Sequence, residues 1–287
     1  MKSFLYLITS IIIFVTLSSA SQQTSGGNKS VTLQGIDNHI SQVSLQQSAN
    51  IISNRLKSIG LSSFEVTVFT DKGQLKILLP EKTDISEIEK LLTSRGELVF
   101  YETYTHQEIN VLFKSDNPLF KMLNRDLDQK DSDPRVGCTT NENRNKTDEY
   151  LRSATPQVNC KLFWGLESEK SGFCLFALKT NNAGKPLLAR TEIESVKIVK
   201  GVDNEDNKIQ IKLKQAASGI FASATKNNLD KAIAIVIDDR VYSWPVVRSV
   251  IERGEIEITG SFSAKEVNYF PALFNSEPLP VSFKLLK

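Results

Sequence analysis

Apolar residues return at two different intervals along this chain, and the switches between them mark its elements. Leu45, Ala49, Ile52, Leu56 and Ile59 recur at steps of three and four, the stripe of an amphipathic helix, and Gly60 stands where such a helix stops. Phe64, Val66 and Val68 alternate with polar residues, as do Leu75, Ile77 and Leu79, with Asp71-Lys72-Gly73 between the two runs. That is a hairpin, closed by Pro80. Asp84 occupies a cap position, Ile85, Ile88, Leu91 and Leu92 follow at helical spacing, Gly96 ends the run, and Leu98 to Tyr101 reads as a strand. With a short strand over Val31 to Leu33, the order is strand, helix, strand, strand, helix, strand. It predicts a ferredoxin-like module over residues 30–105, a sheet with two helices on one face.

From Asn124 to Asn159 the chain is rich in Asp, Asn, Lys, Arg and Thr and poor in apolar residues, so residues 106–160 are expected to form a polar surface excursion without a core. Apolar patterning resumes at Leu162-Phe163-Trp164 and at Phe173 to Phe176, then alternates at Val196 and Ile198 and at Ile209, Ile211 and Leu213. A helix through Phe221 leads into the apolar strand Ala232 to Ile237, which Asp238-Asp239 turns toward Val241-Tyr242-Ser243. Ile256 and Ile258 alternate with Glu255 and Glu257, and Ser263 stands three residues ahead of Glu266, the capping-box spacing. Residues 161–278 therefore read as a second, mixed α/β module, and the whole as an α+β chain.

The amino terminus carries Lys2, an apolar run from Phe4 to Val15 and the small residues Ser18-Ser19-Ala20, the plan of a signal peptide cut after Ala20. Residues 1–20 are expected to direct export to the periplasm or cell envelope, or to tether the chain to the cytoplasmic membrane if left uncleaved; residues 21–29 read as a Ser, Gln and Gly linker. A formal net charge of +2 gives no field that would draw in nucleic acid. Cys138, Cys160 and Cys174 allow at most one disulfide. Cys138 with Cys160 would staple the polar stretch; three unpaired cysteines are the other reading.

Catalytic chemistry finds little support. His39 and His106 sit at element ends, with no nucleophile elbow in the sequence. Asp238-Asp239 stands where a hairpin turn is needed, and Thr259-Gly260-Ser261 lacks the Lys and second Gly of a phosphate cradle. No spacing suits a metal or another cofactor, so a non-enzymatic chain is expected.

Three segments carry a family resemblance. Ala234-Ile235-Val236-Ile237-Asp238, then Ser243-Trp244-Pro245, then Ile258-Thr259-Gly260-Ser261-Phe262 resemble the head of the large extracytoplasmic domain of SecD, the protein-export subunit. Leu279-Pro280-Val281 resembles that family's segment leading back toward the membrane, and Arg55 with Gly60 resembles its base helix. The resemblance implies a ferredoxin-like base, residues 30–105 plus 279–287, with an inserted head over 161–278. It also implies a module that binds unfolded or emerging polypeptide beside the Sec translocon, Trp164, Trp244 and the phenylalanines being candidates for its apolar groove. An envelope structural or interaction protein that reuses the fold with another partner is the alternative. Asp238, Ser243, Pro245, Thr259, Gly260, Phe262, Leu279 and Pro280 are the motif positions, expected to be structural. The chain departs from the family at Asp239 for Gly and at Trp244 for Ala, and no segment after the amino-terminal apolar run reads as one of the family's membrane helices.

Overall fold

The structure, a computed structural model, describes residues 28–114, 116–125, 129–154, 157–168, 171–199, 207–259 and 264–286. The expected signal peptide and residues 21–27 of the expected linker lie outside the described residues. The linker is shorter than expected, because Asn28 and Lys29 already pair with Pro80 and Leu79, and the Lys29 ammonium donates to the Thr83 carbonyl at 3.0 Å.

The first sheet grows from the elements that the periodicity predicts. Strand β1 (Asn28–Gly35) leads to helix α1 (Gln42–Ser58), whose first turn is capped by the Ser41 hydroxyl accepting from the Ser44 N–H at 3.0 Å. Strands β2 (Glu65–Phe69) and β3 (Gln74–Pro80) form the hairpin, and Asp84 caps α2 (Ile85–Thr93) through the Ser86 N–H at 2.8 Å. Strand β4 (Leu98–Glu102) then leaves this sheet. Leu98 to Tyr101 are all buried, a run that needs cover on both faces, whereas β3 alternates buried with exposed or half-buried residues. The last sheet position is taken by the final strand of the chain, Phe283–Leu286, paired antiparallel to β1. The order is final strand, β1, β3, β2, the ferredoxin-like order with residues 283–286 in the place the sequence order gives to 98–101.

The expected polar excursion is folded. It contains α3 (His106–Phe113), α4 (Leu119–Met122), β5 (Arg135–Thr139) and α5 (Asn141–Ser153). Helix α3 starts with a capping box, Thr105 and Glu108 each accepting from the other's backbone N–H. Ile109, Phe113, Leu119, Leu123 and Val136 are buried against Trp164, Phe173 and Leu175 in a separate core. The composition misleads because α5 is polar nearly all round, with Thr147 its one buried residue, and still covers that core.

Strands β6 (Cys160–Gly165) and β7 (Phe173–Lys179) continue the second sheet; β8 (Ile193–Val199) and β9 (Lys208–Leu213) begin a third; α6 (Gln215–Asn227) precedes β10 (Ile233–Ile237) and β11 (Arg240–Ser243); β12 (Glu255–Thr259), α7 (Ala264–Phe274) and β13, the final strand, complete the chain. The six-stranded sheet runs β4-β10-β11-β6-β7-β5, and the three-stranded sheet β12-β9-β8. One core joins the first sheet, its helices and the inner face of the third sheet. Helix α7 runs through Pro271; the expected capping box at Ser263 lies outside the described residues.

Cys138 and Cys174 form the disulfide, which corrects the expected Cys138–Cys160 pairing. They are register partners on adjacent strands β5 and β7, so the sheet itself brings their Cβ atoms together. Cys160 remains a free, half-buried thiol, and burial pushes its pKa up to about 12.

Candidate functional site

The chain passes out of the first sheet at residues 94–97 and returns at 275–279, and both passages close on one side chain. Arg55, on the buried stripe of α1, is 0% exposed. Its Nη1 donates to the Leu91 and Ser94 carbonyls at 3.0 and 2.7 Å, its Nη2 to the Arg95 and Glu277 carbonyls at 2.7 and 3.3 Å, and its Nε to the Ser276 hydroxyl at 2.8 Å. Five acceptors match the five donors of the guanidinium. Gly96, at φ +80°, is required here twice over: a left-handed backbone, and a Cβ that would stand 2.8 Å from Arg55 Nη2. Burial lowers the Arg55 pKa to about 10, and the Asp238 carboxylate draws it back up. Arg95 and Leu279 exchange two further bonds, Leu279 N to Arg95 O at 2.8 Å and Arg95 Nε to Leu279 O at 3.2 Å.

Asp238 ties the second sheet to this joint. Asp238 and Asp239 make the β10–β11 turn with φ of +46° and +62°, the left-handed pair that a two-residue hairpin demands. The Asp238 carboxylate accepts from the Glu97 N–H at 2.9 Å, and its own N–H donates to the Glu97 carbonyl at 3.1 Å. Burial raises its pKa, with the Glu97 and Gly96 N–H groups and Arg55 pulling the other way. The turn reading of the paired carboxylates holds: one carboxyl is a backbone acceptor and the other is exposed.

The other motif positions among the described residues are placed as follows. Ser243 pairs with Ile235 in the β10–β11 ladder. Pro245 accepts from the Ile233 N–H at 3.1 Å. Leu279 is buried and Pro280 exposed. Thr259 ends β12; Gly260 and Phe262 lie outside the described residues. His39 is exposed and His106 half-buried. Trp164 is buried at 8% exposure, its indole N–H donating to Asp148 at 2.6 Å, so it is core rather than groove. Trp244 is half-buried on Phe176, ring centroids 4.7 Å apart.

Two open concavities stand out among the described residues. One, of about 780 Å³, lies between α1 and α7 and is lined mainly by amides and hydroxyls such as Asn50, Asn54, Ser58 and Asn275. The other, of about 480 Å³, is apolar: Phe113 of α3, Leu119 of α4, Tyr150 and Leu151 of α5 and Leu162 of β6 form its walls, with Asn117, Gln157 and Lys161 among its polar lining. Tyr150 is held by its hydroxyl donating to Asn117 at 3.3 Å. Val158, in the turn leading to β6, is 81% exposed. Of the expected groove candidates, Trp164, Trp244 and the phenylalanines, Phe113 lines this concavity; the further signal in the sequence is Ile109, Leu112 and Phe113 at helical spacing and the lone Tyr150-Leu151 pair in a polar helix. Among the described residues, no group of three or more His, Cys, Asp and Glu is placed to hold a metal, and no helix is long and apolar enough to cross a membrane.

A ferredoxin-like sheet whose chain leaves after its second helix, builds two further sheets and returns as an edge strand defines an α+β base-and-head module. Known proteins of similar sequence and fold fit that class. Residues 177–281 match the family model described as SecDF, P1 head subdomain. The SecD protein translocase subunit of Calditerrivibrio nitroreducens is 40% identical over 79 residues, 28% of this chain and 15% of that protein. The SecDF subunit of Brucella abortus is 23% identical over 243 residues, 85% of this chain and 26% of that protein. A crystal structure of SecDF in a super-membrane-facing form superposes with a TM-score of 0.59 at 19% identity, covering 91% of this chain and 30% of that one. A second SecDF structure, described as a membrane component that enhances protein export, gives 0.55 at 19% identity, covering 90% of this chain and 98% of that one. Residues 177–281 are thus similar to the SecDF P1 head subdomain, and the chain as a whole is similar in sequence to SecD and SecDF subunits and in fold to the solved SecDF structures. It spans between 15% and 26% of the length of the two curated relatives named.

Proposed function

We propose that this chain acts outside the cytoplasmic membrane as a non-catalytic polypeptide-binding module accessory to Sec-dependent export. The observation that carries the reading is the apolar groove between α3, α4, α5 and β6, about 480 Å³ with Phe113, Leu119, Tyr150, Leu151 and Leu162 as walls. Its volume suits one or two bulky apolar side chains, which an unfolded chain exposes and a folded one hides. Its polar lining leaves the passing backbone hydrated, so binding is weak and tolerant of sequence.

The test is fluorescence anisotropy of a labelled, reduced and carboxymethylated protein titrated with the purified chain. Saturable binding is expected, weakened at least about tenfold by Leu151→Glu, which sets an unpaired carboxylate against the apolar walls. A photo-crosslinker at Val158 should capture exported chains in vivo. Failure of the wild-type protein to bind the unfolded probe would overturn the reading. Capture of one folded envelope protein in place of exported chains would favour an interaction protein with another partner.

A further inference from the structure

The sheets of this protein treat their edges unequally. Strand β8 has its outer edge closed by a side chain: Val196 N donates to Asn275 Oδ1 and Asn275 Nδ2 donates to Val196 O, both at 2.8 Å, the two bonds a neighbouring strand would make. Strand β4 is covered by the 187–188 segment, through Phe100 N to Leu188 O at 2.8 Å and Leu187 N to Phe100 O at 2.9 Å. Strand β5 is covered by Asn124, which exchanges bonds of 2.7 and 2.9 Å with Cys138. Among the described residues the edge of β12 has no such cover, and every backbone bond of Glu255–Thr259 to another described residue goes to β9.

The register shows what that edge presents. Leu213 N donates to Gly254 O at 2.9 Å, and Gly254 stands opposite Leu213 in the β9–β12 ladder, so residues 254, 256 and 258 commit their backbone groups to β9. Residues 255, 257 and 259 turn theirs outward. The Glu255 and Glu257 side chains lie on the solvent face and are exposed, while Ile256 and Ile258 are buried on the inner face. Lys212, directly across from Glu255, pairs with Glu194 of β8 at 3.2 Å, and Gln210 faces Glu257. Neither carboxylate has an ion-pair partner among the described residues.

We propose that β12 is a strand-addition site for an extended polypeptide segment in which basic and apolar residues alternate. A strand laid antiparallel on this edge bonds to the backbone of residues 255 and 257. Its residues opposite Glu255 and Glu257 lie on the solvent face, where Lys or Arg meets the two carboxylates. The residues between them lie beside Ile256 and Ile258, where apolar side chains extend the buried face. A second copy of β12 sets glutamate against glutamate and is excluded by the same rule. This site rests on the polypeptide-binding reading and gives it a second contact of defined sequence preference, distinct from the groove.

The experiment titrates the full chain into a labelled, end-blocked peptide of alternating lysine and valine, with a peptide of the same composition in two blocks as control. Tighter binding of the alternating peptide is expected, weakening with salt. The double charge reversal Glu255→Lys with Glu257→Lys should lower its affinity on the order of tenfold and transfer preference to an alternating glutamate and valine peptide. Glu257→Pro removes an outward N–H that β9 does not use, so thermal stability holds while peptide binding falls. Equal affinity for both peptides, or a charge-reversed protein that binds as the wild type does, would overturn the proposal. If those variants still bind the carboxymethylated protein through the groove, only the strand site has failed; loss of that binding in the wild type removes the parent reading as well.

Discussion

Arg55 offers the sharpest test of how base and head are joined. Replacing it with Met keeps much of the side chain's bulk and removes all five hydrogen bonds, to the Leu91, Ser94, Arg95 and Glu277 carbonyls and the Ser276 hydroxyl. Bonds from a charged donor contribute about 1.5 kcal/mol each at the low end. Against that stands the cost of burying the charge, about 3 kcal/mol for a pKa lowered from 12.5 to about 10. The difference is a loss of about 4 kcal/mol, within the range seen when a buried charged network is broken. It should appear as a fall of about 10 °C in the melting temperature, or an equal change by urea unfolding. Lys at this position keeps the charge but has at most three donors and no planar fork, so Arg55→Lys should lose about half as much. The pH dependence has a definite sign. A base whose folded pKa is lowered makes stability rise with pH only between about 10 and its unfolded value, so the loss on substitution should be constant from pH 6 to 9. An Arg55→Met protein within about 1 kcal/mol of the wild type, or a loss that varies across that pH range, would refute the reasoning.

Four further outcomes follow from the same structure. Asp238→Asn with Asp239→Gly supplies the residues that two left-handed turn positions favour and removes a carboxyl whose ionisation burial opposes; thermal melts at neutral pH should show a gain of about 0.5–1 kcal/mol. Cys138→Ser with Cys174→Ser opens a link across 36 residues and should cost about 2–4 kcal/mol by urea unfolding. In the wild type, iodoacetamide followed by mass spectrometry should label nothing natively and Cys160 alone after unreduced unfolding, because that thiol is partly buried and its pKa stands at about 12. Burial raises the Glu108 pKa, but the Thr105 N–H and the Lys179 ammonium at 2.9 Å together bring it below the ordinary value. Its contribution is therefore present above the unfolded pKa and lost as pH falls through the folded one; Glu108→Gln should flatten that acid limb by about 0.5–1 kcal/mol, small because both side chains are partly exposed.

The elements with strict periodicity were legible in the sequence. The α1 stripe, the β2–β3 hairpin, the Asp84 cap and the Asp238-Asp239 turn all follow from local rules, and local rules decide them. What failed were assignments made by partners distant in the chain. Leu98 to Tyr101 follows α2 as a fourth base strand would, yet its two-sided burial sends it to β10, more than 130 residues on. The span from 106 to 160 was judged by average polarity, while its helices needed only Ile109, Phe113 and Leu119 to anchor them. The disulfide depended on strand register, which spacing alone does not reveal. Arg55 was visible as a motif position, but its role was not, since its acceptors are carbonyls and a hydroxyl from 36 to 222 residues away.

The groove and the family likeness occupy different parts of the chain. The matched head segment begins at Ala177, whereas the groove walls come from residues between Phe113 and Leu162. The motif positions inside and beside the matched segment are turn, ladder and joint residues: Asp238, Ser243, Pro245 and Leu279 direct backbone and touch no part of the groove. The likeness thus accounts for a frame that holds three sheets at a common joint, and fold alone does not fix what such a frame binds. Under the binding reading proposed above, recognition falls to the Tyr150-Leu151 wall, outside the matched segment, and to the acidic edge of β12, within it. Changes at Arg55 or Asp238 should therefore move stability and leave affinity alone while the protein stays folded, and changes at Leu151 or Glu257 should do the reverse. A frame variant that altered peptide preference without altering stability would show that joint and binding surfaces are coupled, and would move the basis of recognition back into the family's shared architecture.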